Sequence, residues 1–343
     1  MDKNNKGKLI LNIILFLVSV GILVYFCVSG NNLETLINFL PNLNYMWLIL
    51  AVCAIFLSWL FDSKVIRLII MSASQKKFSR KSAFRITMVG QYFSAITPLG
   101  MAGQPMQILA LTQKGVSAGV SVSVFVRKFL IYQSTMTIYS LLVIIYKFSF
   151  FSSHIPLFIP LVAIGIISQS FTLLLLVLFY INKNFTTKII HAVFYVLSKF
   201  KIIKNPEQSI KSVEDQLNSF VENNSKMRIN KQSSMKLYLY SFLQLTFLFS
   251  IPFIIYKAFN GAGFPFISLL CTQVFLNTIS SYTPLPGAAG TTETIFLLLF
   301  SEFFESELIV PAMLMCRIIT YYLSVIVGFI FVGFKFCGKN NKC

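Results

Sequence analysis

Charged side chains are scarce in this sequence. Only 12% of its 343 residues are Asp, Glu, Lys or Arg, about half the share that is usual in globular proteins. A soluble domain of this length needs a charged surface that faces water. The composition therefore argues against a soluble protein.

Metal-binding and catalytic motifs are also lacking. The two histidines, His154 and His191, lie far apart, and the six cysteines include no Cys-x-x-Cys pair. A zinc site is therefore not expected. The sequence contains no Gly-x-Ser-x-Gly, P-loop or Gly-x-Gly-x-x-Gly motif. We accordingly assign no catalytic residue, metal or cofactor.

Long apolar runs take the place of these features. The sequence is 56% hydrophobic with 36 phenylalanines, and its mean hydropathy is +0.75. Several runs approach or exceed the roughly 20 residues that a helix needs to cross hydrocarbon. They are Leu9–Val28, Tyr45–Phe61, Val120–Tyr146, Pro156–Ile181, Leu237–Phe259 and Ile309–Phe334. This pattern predicts an all-α, polytopic membrane helical bundle that forms a single integral membrane domain over residues 1–343.

The net charge of +18 predicts the orientation of the bundle. The basic residues flank the apolar runs, as expected for cytoplasmic loops that contact anionic lipid headgroups, so nucleic acid is not an expected partner. Segments 62–85 and 182–236, together with both termini, are basic and are predicted to be cytoplasmic. We expect a multi-pass protein of a bacterial-type cell membrane.

Segment 182–236 also carries apolar residues at helical spacing. This pattern favours two amphipathic helices that lie on the cytoplasmic membrane surface. The alternative is a solvated connector.

Two further apolar segments contain helix breakers. Counting the crossings between basic loops requires segment 86–113 to begin and end on the cytoplasmic side, and segment 264–308 to begin and end outside. Each is therefore predicted to be a re-entrant hairpin, and the two have opposite orientations. The residues that break the helices are Pro98, Gly100, Gly103, Pro284, Pro286, Gly287 and Gly290.

The two breaks share a short motif. Residues 94–103 are SAITPLGMAG, and residues 280–290 are SSYTPLPGAAG. A motif that recurs in oppositely oriented halves is typical of the inverted repeats of transporters. Chance is the alternative, because Thr-Pro-Leu is short. Broken helices inside a membrane must line a polar cavity or be buried in protein, and their N-termini attract phosphate.

Charged residues inside these apolar segments are few, namely Arg127, Glu293 and Arg317. Ionisable residues at membrane depth indicate function by default, so we assign these three to a lipid headgroup site. A structural ion pair between Glu293 and Arg317 is the alternative, and the two interpretations are compatible. Lys128 is expected to reach the cytoplasmic surface.

Neutral polar side chains near the breaks are further candidates for binding the headgroup. They are Gln104, Thr97, Thr283, Ser94 and Ser280. Each of them also fits a role in helix packing.

These motifs resemble the transmembrane region of the lysylphosphatidylglycerol synthase family. The resemblance covers nearly the whole chain. The family's Pro-Gly-x-x-Gly-Glu motif corresponds to residues 98–104, where Gln104 replaces the acidic residue, and Val126 replaces a glutamate before Arg127. Its Pro-x-Pro-Gly-Gly-x-Gly-x-x-Glu motif corresponds to residues 284–293, and the later arginine is Arg317.

The resemblance implies a lipid translocase. Its substrate would be an anionic or aminoacylated phospholipid, such as lysyl-phosphatidylglycerol, or a lipid-linked molecule. Full-length members of the family add a soluble domain that transfers lysine from lysyl-tRNA, and we expect this chain to lack that domain. The alternatives are a phosphatidylglycerol lysyltransferase and a non-transporting scaffold for envelope assembly. The implied partners are phospholipids, with a second copy of the chain or a membrane enzyme left open.

Overall fold

Helices dominate the structure. The computed structural model describes residues 37–74, 77–154, 158–182, 187, 230–281 and 285–336. In these ranges every regular element is a helix and no strand forms, which confirms the predicted all-α class. The predicted span Leu9–Val28, nearly all of segment 182–236 and the basic tail lie outside the described residues.

Within each described range the helices follow one another with short connections. In chain order they are α1 (Tyr45–Ser74), α2 (Arg80–Ala95), α3 (Gly103–Thr112), α4 (Ala118–His154), α5 (Phe158–Ile181), α6 (Lys231–Phe249), α7 (Ile251–Ala258), α8 (Phe266–Ser280), α9 (Thr291–Leu299), α10 (Ile309–Arg317) and α11 (Leu323–Phe336). Short 3₁₀ turns lie at Leu40–Asn42, Pro98–Gly100 and Pro286–Ala288, and a π-helical turn, Ile318–Tyr322, joins α10 to α11.

Four helical stretches are long and apolar enough to cross a membrane. They are Tyr45–Ser74, Ala118–Phe148, Lys231–Ala258 and Ile309–Val332, and each coincides with a span predicted from the sequence. Helix α5 covers most of the predicted span Pro156–Ile181 and contains a shorter apolar stretch, Ala163–Leu178. These findings support a multi-pass membrane protein.

Helix α1 extends well past the predicted end of its span. Phe61 was the expected boundary, but the helix continues to Ser74. Val65, Ile66 and Ile69 are buried, so the inward face of the helix remains apolar at helical spacing. The first half of segment 62–85 is therefore a helix packed into the bundle, and the prediction of a loop there was wrong.

Polar and apolar side chains are distributed as in a protein surrounded by lipid. Apolar residues are strongly exposed on the outer helix faces, for example Met46, which is 75% exposed. Polar residues are buried between helices. The Thr278 hydroxyl lies 3.1 Å from the Ser140 hydroxyl and accepts a hydrogen bond of 3.3 Å from the Gln169 amide. Hydrogen bonds of this kind join helices that lipid alone would not drive together.

Two helix pairs occupy the positions of the predicted hairpins. Helix α2 packs against α3 across the turn Pro98–Gly100, and α8 packs against α9 across the segment that contains Pro286–Ala288. The two 3₁₀ turns contact each other. Insertion of these pairs into a membrane from opposite sides stays a prediction.

The first helix pair packs closely at Gly103. A Cβ atom on Gly103 would lie 1.8 Å from the Ser94 hydroxyl oxygen and 3.0 Å from the Gly90 carbonyl oxygen. A larger residue at position 103 would force the Ser94 hydroxyl into another rotamer and would also crowd the Gly90 carbonyl of α2. The glycine therefore sets the distance between these two helices.

The two turns share an unusual backbone conformation. Leu99 and Gly100 have φ values of 53° and 65°, and Gly287 and Ala288 have φ values of 60° and 51°. The structural counterpart of Pro98 is therefore Pro286, two residues after the proline that the Thr-Pro-Leu motif would align with it. The backbone of Leu99 and of Ala288 is in the left-handed region, which is strained for residues with a Cβ atom. Such strained residues tend to occur at functional sites.

Contacts between helix ends agree with the predicted relative orientation of the helices. The Asn44 amide donates a hydrogen bond of 2.9 Å to the Ala258 carbonyl, so the start of α1 lies beside the end of α7. Arg85 Nη2 donates one of 3.0 Å to the Phe331 carbonyl, so the start of α2 lies beside the end of α11. Each pair was predicted to share one side of the membrane.

Candidate functional site

A polar cavity of about 480 Å³ lies where the two helix pairs meet. Residues of every described helix except α5 line it, together with the π-helical turn and with Gly287 and Ala288 of the second 3₁₀ turn. The volume falls within the range of roughly 300–1,000 Å³ that is typical of small-molecule pockets. The lining combines apolar surface with many polar side chains, whereas the outer faces of the bundle are apolar.

Glu293 and Arg317 form a buried ion pair at this cavity. Arg317 Nε lies 2.7 Å from Glu293 Oε1, and Glu293 is only 3% exposed. Arg317 itself lines the cavity. The structure thus shows the ion pair that the sequence left as one of two compatible interpretations.

The local fold positions Glu293 for this contact. Gly290, with φ of 82°, precedes α9, and its amide donates a hydrogen bond of 2.7 Å to Glu293 Oε2. This contact is one half of a capping box, in which the third helical residue caps the start of its own helix. Both carboxylate oxygens of Glu293 are therefore engaged.

Tyr321 connects this ion pair to the first helix pair. The Arg317 guanidinium lies 5.6 Å from the centroid of the Tyr321 ring, within the range of a cation–π contact. The Tyr321 hydroxyl donates a hydrogen bond of 3.0 Å to the Ala95 carbonyl at the end of α2. A Cβ atom on Gly287 would lie 2.2 Å from this ring, so the tyrosine packs directly on the second turn.

A second ion pair lines the same cavity. Lys128 Nζ on α4 lies 2.9 Å from Asp62 Oδ2 on α1, and Asp62 is only 2% exposed. The other carboxylate oxygen, Asp62 Oδ1, is buried and has no hydrogen-bond partner. Sequence reasoning missed this pair because it counted Asp62 as a loop residue and expected Lys128 to reach the membrane surface.

Six carboxamide side chains also face the cavity. They come from α2, α3, α6 and α8, and they are Gln91, Gln104, Gln107, Gln244, Gln273 and Asn277. Gln107 Nε2 donates a hydrogen bond to the Ile86 carbonyl, and Asn277 Nδ2 contacts the Met136 sulfur. Of the six, only Gln104 was predicted. Neutral amides carry no charge signal, but their recurrence in four apolar helices is a pattern that could have identified them.

The predicted site residues separate into those on the wall and those away from it. Gln104, Arg317, Ser94 and Ser280 line the cavity, and Glu293 supports Arg317. Arg127 is half-buried and does not line the cavity, where its neighbour Lys128 is found.

The threonines and prolines of the predicted site have other positions. The Thr97 hydroxyl donates a hydrogen bond of 2.6 Å to the Phe93 carbonyl and accepts one from the Ala102 amide. It therefore organises the first turn and does not line the cavity. Thr283 and Pro284 lie outside the described residues.

Comparisons with known proteins agree with the sequence motifs. The model of the family described as "Lysylphosphatidylglycerol synthase TM region" matches residues 11–328. A protein described as a UPF0104 membrane protein from Archaeoglobus fulgidus is 24% identical over 265 residues, which cover 74% of this chain and 76% of that protein. The family match includes both helix pairs and all the residues that line the cavity.

Proposed function

We propose that this chain, which belongs to the lysylphosphatidylglycerol synthase TM-region family, is a flippase-like protein that moves a lipid headgroup across the membrane. The substrate is an anionic or aminoacylated phospholipid, such as lysyl-phosphatidylglycerol, or a lipid-linked molecule. Its headgroup occupies the polar cavity, and its acyl or prenyl chains remain in the surrounding lipid.

The polar cavity between the two helix pairs is the observation that carries this proposal. A headgroup phosphate in hydrocarbon loses its hydrogen bonds with water, and this loss is the main barrier to lipid movement. The cavity offers cationic and hydrogen-bonding groups, including Arg317, Lys128 and the carboxamides, inside a bundle whose outer helix faces are apolar. These groups replace the lost hydration and lower the barrier.

Arg317 is the residue we assign to the phosphate. Its contact with Glu293 uses Nε, and a guanidinium has further N–H donors whose geometry suits phosphate oxygens. Thr292, at the second position of α9, lies on the same wall. The start of that helix adds amide groups and the positive end of the helix dipole.

The two touching turns form the barrier within the cavity. In the proposed mechanism the turns separate on one side at a time, and the headgroup passes between them. Rocking of one repeat against the other is the usual way in which repeat-built transporters alternate their access. Contact between Tyr321 and Gly287 couples the second turn to the helix that carries Arg317.

Reconstitution into liposomes tests the proposal. Fluorescent phosphatidylglycerol and lysyl-phosphatidylglycerol are placed in both leaflets, and an impermeant quencher reports how fast the inner lipid becomes accessible. We expect the wild-type protein to accelerate this exchange and the double variant Glu293→Gln/Arg317→Gln to return it to the rate of protein-free liposomes. The double variant leaves no unpaired buried charge, so it tests transport rather than folding.

A matched control variant distinguishes the effect of losing two charges anywhere in the protein from the effect of losing the ion pair at the cavity. Glu302 and Arg80 are exposed and lie away from the cavity wall. The double variant Glu302→Gln/Arg80→Gln also removes one negative and one positive charge, and it should transport lipid at the wild-type rate. Failure of the wild-type protein to move any phospholipid or lipid-linked probe, in liposomes where it is correctly folded, would refute the proposal.

A further inference from the structure

We infer that the cavity selects a polyhydroxylated headgroup, a sugar or cyclitol that is joined to its lipid through a phosphate. This inference rests on the proposed function, because it names the substrate class of the same cavity. It depends on the hydrogen-bonding character of the wall rather than on its charge.

Hydroxyl and carboxamide side chains make up most of the hydrogen-bonding groups on the wall. Each carboxamide both donates and accepts, as does each hydroxyl of a sugar, whereas an ammonium only donates and an ionised phosphate only accepts. Gln91, Gln104, Gln244 and Gln273 make no hydrogen bond to the protein in the described part of the chain. Gln244 is only 8% exposed, so its amide faces the cavity and little else.

The charges on the wall do not favour a cationic headgroup. Asp62 is already paired with Lys128, and Glu293 uses both of its oxygens on Arg317 and Gly290. An ammonium placed at Asp62 would bring a second positive charge close to Lys128. The two charges of each ion pair therefore cancel locally, and selectivity between headgroups comes from the carboxamides and hydroxyls.

Aromatic rings provide the remaining surface. Trp59 and Tyr132 line the cavity beside Asp62 and Lys128. Trp59 is only 2% exposed, so Tyr132, which is half-buried, supplies the accessible ring of this pair. The apolar faces of a sugar or cyclitol ring pack well on such rings. The cavity thus has separate surfaces for the hydroxyl edge and the carbon face of the headgroup, and Arg317 lies on the same wall for the phosphate.

A tryptophan titration tests this inference. The sequence contains two tryptophans, so the conservative variant Trp47→Phe leaves Trp59 as the single fluorescent reporter in the cavity. The full chain in detergent is titrated with dioctanoyl forms of phosphatidylinositol, phosphatidic acid, phosphatidylethanolamine and lysyl-phosphatidylglycerol. We expect phosphatidylinositol to bind roughly tenfold more tightly than each of the other three.

Two substitutions test whether the carboxamides cause the preference for phosphatidylinositol. In the Trp47→Phe background, Gln244→Met and Gln273→Met remove carboxamides from the wall and should bring the affinity for phosphatidylinositol close to that for phosphatidic acid. Gln232→Met is the matched control, because Gln232 lies on α6 like Gln244 but is exposed. It should leave the preference unchanged. Thermal unfolding of each variant confirms that the fold is retained.

The outcomes separate this inference from the proposed function. Equal binding of phosphatidic acid and phosphatidylinositol, tighter binding of lysyl-phosphatidylglycerol, or no fluorescence change with any lipid would overturn the inference. Liposome exchange of phospholipids without preference for phosphatidylinositol would also overturn it while leaving the proposed function intact. Preferential binding of phosphatidylinositol without any lipid exchange would support the inference and overturn the proposed function.

Discussion

Glu293 Oε1 lies 2.7 Å from Arg317 Nε in a buried contact between the start of α9 and the end of α10. The same carboxylate holds the amide of Gly290 through its second oxygen. One acidic side chain therefore ties the turn of the second helix pair to the residue that we assign to the phosphate. A structural and a binding role meet in this pair, and a mutant cycle can separate them.

Removing one partner of this pair should destabilise the protein more than removing both. Glu293→Gln or Arg317→Gln leaves a buried charge without its partner, which typically costs about 3–5 kcal/mol. The double variant should recover most of that loss in thermal unfolding, yet it should remain inactive in lipid exchange. Full transport activity in a stable double variant would show that the pair has a structural role only.

Replacement of Lys128 should destabilise the protein far more than replacement of Lys64, an exposed lysine on α1. Lys128→Met leaves Asp62 buried without a counter-charge, so we expect a loss of about 3–5 kcal/mol in the free energy of unfolding. Lys64 is exposed and contacts the faces of Phe61 and Tyr240, so Lys64→Met should change it by about 0.5 kcal/mol at most. Equal effects of the two substitutions on thermal unfolding would argue against the Asp62–Lys128 pair.

Gly103→Ala should destabilise the first helix pair. Gly103 is the first residue of α3, so the preference of helix interiors for alanine offers little compensation, and the new Cβ would overlap the Ser94 hydroxyl. We expect a net loss of about 1–3 kcal/mol. Ser94→Ala removes the overlapping oxygen, so the double variant should recover part of the loss. A single Gly103→Ala variant with an unchanged or raised midpoint of thermal unfolding would contradict the close packing of α2 and α3.

Cysteine accessibility should reveal the two predicted re-entrant hairpins. Lys81 and Gln113 flank the first hairpin, and Asn260 and Glu305 flank the second. In intact cells an impermeant maleimide should label Asn260→Cys and Glu305→Cys, whereas Lys81→Cys and Gln113→Cys should react only after the membrane is opened. If only one member of either pair is labelled in intact cells, the segment between them crosses the membrane and is not a re-entrant hairpin.

The helical class and most of the bundle could be predicted from the sequence. Apolar runs of membrane length need no tertiary information, because each helix satisfies its own backbone hydrogen bonds. The end of α1 was misjudged because the cluster of basic residues after Phe61 outweighed the apolar spacing of Val65, Ile66 and Ile69. Charge counts over a segment hide which face of a helix each residue occupies.

The candidate site was only partly predictable. Gln104, Glu293 and Arg317 stood out because they interrupt a motif or carry charge at membrane depth. Asp62 and Gln244 come from helices far away in sequence, and only the packing of α1 and α6 around the helix pairs brings them to the same wall. Without knowledge of that packing, neutral amides in apolar helices resemble ordinary interhelical hydrogen-bonding groups.

The contact between the two 3₁₀ turns has an electrical consequence. In the re-entrant arrangement that we propose, hydrated space reaches the turns from one side at a time, so most of the membrane voltage falls across this thin layer of protein. One elementary charge that crosses a potential of 100 mV gains or loses about 2.3 kcal/mol. A headgroup with a net charge would thus be driven or held back by the voltage, whereas a zwitterionic headgroup would cross with little response to it.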